Sequence, residues 1–87
     1  MHATFSTEEL AFKEEVTAFL KDAYTEDLAS RMHQPDTFKA ATIEWQKQRY
    51  DKGWAAPGWP VEYGGCGWTD TQKYIFDCAL AEAEAPD

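Results

Sequence analysis

All five glycines of the chain fall between Gly53 and Trp68, in the run GWAAPGWPVEYGGCGW. The same run holds three of the four tryptophans and two of the four prolines. Glycine and proline are the residues that most strongly interrupt regular structure. Confining them to one segment leaves long stretches on either side with little to break a helix, so the chain is constrained to helices flanking one irregular connector. Within it, Pro57-Gly58 fits the two central positions of a type II turn, where proline sets φ and glycine accepts φ > 0. Pro60 forbids helix continuation, and Gly64, Gly65 and Gly67 allow further reversals. The segment is either a ligand-binding loop or a packed connector anchored on helices by Trp54, Trp59 and Trp68. A phosphate cradle does not fit, because GGCG lacks the lysine and the preceding strand of a P-loop. An aromatic cage or a carbohydrate platform is the remaining ligand-binding alternative. A structural connector accounts for the same residues more simply.

Three segments carry helical periodicity, and no segment carries a strand of useful length. The first runs over about 7–24. Ser6 and Glu9 have capping-box spacing, and Phe5 and Leu10 are placed for a hydrophobic staple across it. Phe12, Val16, Phe19, Leu20 and Ala23 fall on one face, with Glu8, Glu14, Glu15, Lys21 and Asp22 outside it. The stretch TEDLASRMHQPD then reads as a connection with one helical turn, and Pro35 disfavours helix at Gln34. A second helix is predicted over about 37–52, capped by Asp36 and ended by Gly53. Phe38, Ala41 and Trp45 form one stripe on it; Ile43 and Tyr50 form another. Thr69 and Gln72 repeat the capping-box pattern at the start of a third helix, about 70–84. There Tyr74, Ile75, Cys78, Ala81 and Ala85 share one side, and Phe76, Leu80 and Ala83 nearly the opposite one. A helix apolar on both sides asks for neighbours on both. The fold class is therefore all-α, with three main helices and a Gly/Trp/Pro-rich loop between the second and third. Residues 1–87 make one domain at most.

Sixteen acidic against eight basic residues give a net charge of −8. That balance excludes nucleic acid, whose phosphates need a basic surface, and adhesion to an anionic membrane. No apolar run approaches the ~20 residues of a membrane span. The opening MHATFSTEEL lacks the basic start and apolar core of a secretion signal. A cytoplasmic location with reduced Cys66 and Cys78 is the expectation.

No reaction can be read from the residues themselves. His2, His33, Cys66 and Cys78 lack close ligand spacing, so no metal site is expected. No base is placed beside either thiol. Glu62 lies in the loop without a partner to tune it as a base. Glu82 falls within an apolar arc of the third helix, where it reaches water at the edge or pairs within a larger protein.

The order of elements resembles the N-terminal helical domain of acyl-CoA dehydrogenases. The resemblance rests on Gly53-Trp54, Pro60, Glu62-Tyr63-Gly64-Gly65, Gly67 and the closing Ala85-Pro86, with FSTEELAFKEEVTAFL similar to the family's first helix. The third helix departs from the pattern: Cys78-Ala79-Leu80-Ala81 stands where Glu-Glu-Leu-Ala is common, and Glu84 where a small residue, often glycine, is usual. The resemblance implies an FAD-dependent enzyme that oxidises an acyl-CoA to its 2-enoyl form. It also implies that flavin, substrate contacts and the catalytic glutamate belong to parts beyond Pro86. No catalytic, cofactor-binding or metal-binding residue is therefore expected here, and no FAD in this piece alone. The expected partners are the remainder of the enzyme, or further copies of the chain joined through apolar helix faces. The alternative is a stand-alone, small acidic helical module for protein–protein interaction.

Overall fold

In the computed structural model, which describes residues 5–86, the capping box at Ser6 opens α1 (Thr7–Ala23). The Glu9 amide donates to Ser6 Oγ at 3.1 Å, and the Ser6 amide to Glu9 Oε1 at 2.9 Å. Phe12, Val16, Leu20 and Ala23 are buried along the anticipated face, with Phe19 packed beside them. The expected staple is incomplete: Phe5 packs on the core, but Leu10 is half exposed.

The stretch read as a connection is a second helix, α2 (Glu26–Met32). Thr25 caps it by accepting from the Leu28 amide at 3.1 Å. Glu26 and Asp27 lie at its positive end, Arg31 lies in its last turn, and Leu28 and Met32 are buried one turn apart. A short helix gains little from propensity alone, and tertiary burial is what makes this one form.

The next helix, α3 (Phe38–Lys52), is not capped by Asp36. Thr37 occupies the cap position, in helical geometry and with no side-chain cap, because its hydroxyl instead donates to the Arg31 carbonyl at 2.7 Å. The buried stripe of α3 is Ala41, Trp45 and Arg49, spaced by four. Stepping back four from Ala41 reaches Thr37 rather than Phe38, and Phe38, Ile43 and Tyr50 all face outward. The helix ends in a Schellman turn: the Trp54 amide donates to Arg49 O and the Gly53 amide to Tyr50 O, with Gly53 at φ 86°.

The second capping box, Thr69 with Gln72, opens α4 (Asp70–Glu82). This helix buries Ile75, Phe76 and Leu80, while Tyr74, Ala81 and Ala83 are exposed. It is thus buried on one side, not on both as its composition suggested. It too ends in a Schellman pair, Ala85 N–H to Leu80 O and Glu84 N–H to Ala81 O, with Glu84 itself at φ 56°.

α1 packs on α4, and α2 on α3. The molecule measures 42 × 32 × 20 Å, the thinnest dimension being two helix layers. Aromatic rings join the two pairs. Trp54 meets Phe12, Phe19, Trp68 and Phe76 at centroid distances of 6.0, 5.1, 5.6 and 5.7 Å. Phe19 stacks on Trp45, and Tyr24 meets Trp45 edge-on. The fully buried Trp45 donates its Nε1–H to the Pro86 carbonyl at 2.9 Å, tying the last described residue to the core. Arg31 donates to Asp27 within α2 at 3.0 Å and to Glu44 across to α3 at 2.8 Å. Lys52 reaches Glu15 at 3.0 Å and ties α3 to α1. The architecture is all-α with four helices, one more than the periodicity predicted, and no strand among the described residues.

Candidate functional site

The connector is built outward from Gly53. Its left-handed turn directs Trp54 into the core, and the Trp54 carbonyl is held by two hydrogen bonds from Arg49, Nε at 3.2 Å and Nη2 at 3.1 Å. Arg49 is 2% exposed, and its guanidinium lies 5.4 Å from the centre of the Phe76 ring. Sequence reasoning gave Arg49 no role, and an ionised side chain is seldom fully buried. The signal was its register, four residues after Trp45 and eight after Ala41.

Beyond Trp54 the chain makes a turn closed by the Trp59 amide on Ala56 O at 3.1 Å. Gly58 is not among the positive-φ glycines, so this is not the type II turn that Pro57-Gly58 suggested. A single 3-10 turn, Val61–Tyr63, follows and ends at Gly64, with φ 93°. Gly65 donates to Pro60 O at 3.0 Å, and its backbone runs so close to the preceding turn that a Cβ would fall 1.5 Å from the Trp59 carbonyl oxygen. Trp68 packs on Phe12 and Phe76, each at 5.1 Å. Two of the three loop tryptophans therefore anchor the connector. Trp59 does not: it is 62% exposed, on the outer side of the turn with Val61 and Tyr63.

Clefts flank these elements among the described residues. One of about 550 Å³ lies between α3, the Ala55–Trp59 turn and α4, with Gln46, Arg49, Gly58, Trp59, Lys73 and Asp77 on its walls. A second, of about 410 Å³, lies on the other side of the same turn and shares Trp59 and Lys73. The third, of about 280 Å³, lies between α1 and α4 and is bounded by Leu20, Tyr24 and Glu82. The Tyr24 hydroxyl is buried without a hydrogen-bond partner among the described residues. Burial first, and the negative charge of Glu84 second, push its pKa up.

The residues singled out from the sequence are scattered. His2 lies outside the described residues. His33 ends α2, its Nδ1 within 2.7 Å of Ala29 O. Cys66 donates to Gly53 O at 3.2 Å, and burial raises its thiol pKa against the opposing charge of Arg49, which does not favour the thiolate needed for nucleophilic work. Cys78 lies on α4 beside Tyr74, and both cysteines are free. Glu62 and Glu82 are exposed. Among the described residues no group of three or more His, Cys, Asp or Glu side chains could hold a metal ion. No helix of the described residues is long and apolar enough to cross a membrane.

A family model described as the acyl-CoA dehydrogenase N-terminal domain matches residues 6–86. The chain belongs to the acyl-CoA dehydrogenase family. No curated protein and no solved structure gives a match. The acyl-CoA dehydrogenase family uses FAD. A dinucleotide's pyrophosphate seeks free amides at a helix N-terminus after a glycine-rich turn. Here the Gln72 amide of α4 is already bonded to Thr69, and Asp70 adds a negative charge in the first turn. The left-handed glycines Gly64 and Gly67 serve the 3-10 turn and the approach to Trp68 instead.

Proposed function

We propose that this chain is the N-terminal helical part of an FAD-dependent acyl-CoA dehydrogenase, an oxidoreductase acting in fatty acid or lipid metabolism on an acyl-CoA thioester. Its own role is structural: it carries no catalytic residue and presents apolar side chains to the remainder of the enzyme. The observation that carries this reading is the family match over residues 6–86. It is supported by the outward-facing Phe38, Ile43 and Tyr50 of α3 and Tyr74 of α4, which are more large apolar side chains than a small folded surface usually leaves uncovered. On its own, the chain covers such faces by self-association through α4 and the neighbouring loop.

The experiment is to recover the native protein with an antibody against residues 6–86 and measure its mass, its visible flavin absorbance and its oxidation of acyl-CoA substrates. The expected result is a species heavier than 9.9 kDa that carries flavin and turns over acyl-CoA, while the isolated chain does neither. Recovery of a 9.9 kDa species alone, bound to an unrelated protein, supports the interaction-module alternative and overturns the proposal.

For the isolated chain, sedimentation across concentration is expected to show association that Tyr74→Lys weakens. A monomer at every concentration, with no uptake of an apolar dye, contradicts that part.

A further inference from the structure

The outward sides of α3 and α4 carry matching patterns of opposite charge. On α3, Lys39, Ile43, Lys47 and Tyr50 follow at intervals of four, four and three residues, which sets them in one stripe. It runs opposite the buried Ala41, Trp45 and Arg49. On α4, Asp70, Tyr74, Asp77 and Ala81 follow at intervals of four, three and four, away from the buried Ile75, Phe76 and Leu80. All of these stripe residues are exposed, Ile43 at 61%, Tyr50 at 76% and Tyr74 at 58%. One stripe is apolar and cationic, the other apolar and anionic. We infer that a second copy of the chain covers them, the α3 stripe of one copy packing on the α4 stripe of the next. This names the partner face in the self-association proposed above, and it rests on that reading.

Charge decides between the possible pairings. Among the described residues α3 is the one helix with more basic than acidic side chains, Lys39, Lys47, Arg49 and Lys52 against Glu44 and Asp51. In α4 the balance is reversed, Asp70, Asp77 and Glu82 against Lys73. Glu44 is engaged by Arg31, and Lys52 by Glu15. Lys39, Lys47, Asp70 and Asp77 form no ion pair among the described residues. Asp51 and Lys73 lie at the edges of the stripes. A seam of two α4 stripes collects only acidic side chains, and a seam of two α3 stripes only basic ones; like charges disfavour both. Laid in the same direction, an α3 and an α4 stripe bring Lys39 to Asp70, Ile43 to Tyr74, Lys47 to Asp77, and Tyr50 over the small Ala81. With one helix reversed, Lys47 meets Asp70, Lys39 meets Asp77, and Ile43 still meets Tyr74. The apolar pairs supply the burial, and the ion pairs, individually weak at a surface, select the partner.

The test is sedimentation of two charge-reversed variants, Lys39→Glu/Lys47→Glu and Asp70→Lys/Asp77→Lys, alone and mixed, with circular dichroism to check folding. Each variant alone sets like charges across the seam, and its self-association should weaken about tenfold or more. An equimolar mixture restores opposite charges wherever an α3 stripe of one variant meets an α4 stripe of the other. It should associate within about threefold of the parent chain. Asp77→Lys alone leaves the acidic first turn of α4 intact; it should show a smaller loss, recovered on mixing with Lys39→Glu/Lys47→Glu. Added salt should weaken the parent association. Variants that associate like the parent, or a mixture no tighter than its components, overturn the α3–α4 pairing and leave self-association through α4 standing. A parent chain that stays monomeric at every concentration overturns both.

Discussion

Glu84 is the one non-glycine among the described residues with a left-handed backbone, at φ 56°. It occupies in the α4 Schellman turn the place that Gly53 occupies in the α3 turn. An L side chain in that conformation costs roughly 1–2 kcal/mol, which glycine avoids. Glu84→Gly is therefore expected to stabilise the chain by about 1 kcal/mol, or ~4–8 °C in Tm, read by thermal melting. The opposite effect is expected at Gly65, whose missing side chain makes room for the Trp59 carbonyl. Gly65→Ala should cost about 2–3 kcal/mol or more in urea unfolding, because main chain rather than a flexible side chain has to move. The concentration of glycines announced a bent connector, and Gly53 was legible as a helix stop. Which glycine relieved backbone strain and which relieved crowding was not legible, since crowding at Gly65 arises from how the Trp59–Pro60 segment folds back. Arg49 is buried, whereas Trp59, read as an anchor, is exposed. One is a charged residue carried inward by helix register; the other is an aromatic left outside by a turn whose type the sequence did not settle.

At the scale of elements, both capping boxes were readable because cap and responder are three residues apart and need no other part of the fold. The α2 helix was not readable as a full element. It has a single capping threonine, and the residues that stabilise it lie far along the chain. Arg31 of α2 reaches Glu44 of α3 at 2.8 Å, and its hydrogen bonds, followed by its charge, hold the Glu44 pKa below the ordinary 4.5. A carboxylate with a lowered folded pKa adds stability that is complete above its unfolded value. That stability is lost as pH falls below 4.5 and through the folded value. Tm should therefore fall on acidification through this window. Glu44→Gln should lower Tm at neutral pH and flatten the acid decline, and a pH series of melts on the two proteins checks both. An equal acid decline in both would remove Glu44 as a contributor.

At the scale of the molecule, the fold class and the family were legible, whereas the partnering of helices was not. Periodicity gives each helix a face but not a neighbour. α4 reads as apolar on both sides because Tyr74 and several alanines count as apolar, yet only Ile75, Phe76 and Leu80 are buried. The aromatic cluster that joins the α1–α4 pair to α2–α3 is a long-range arrangement, extended by the bond from Trp45 Nε1 to Pro86 O. A chain ending at Ala83 leaves that buried donor without its acceptor, and should lose about 1–3 kcal/mol in urea unfolding. Replacing Trp45 by Phe in the shortened chain should then cost less than in the parent chain, because the bond is already gone.

That bond also sets an order of events during synthesis. The acceptor stands 41 residues after its donor, so α3 leaves the ribosome with its central indole lacking the partner it has in the finished fold. The α2–α3 pair can form while the chain is still growing, but the Trp45 indole N–H waits for the Ala85-Pro86 segment. The emission of Trp45 should thus report when translation has delivered that segment, and a ribosome stalled just short of it should hold the protein in an unlatched state.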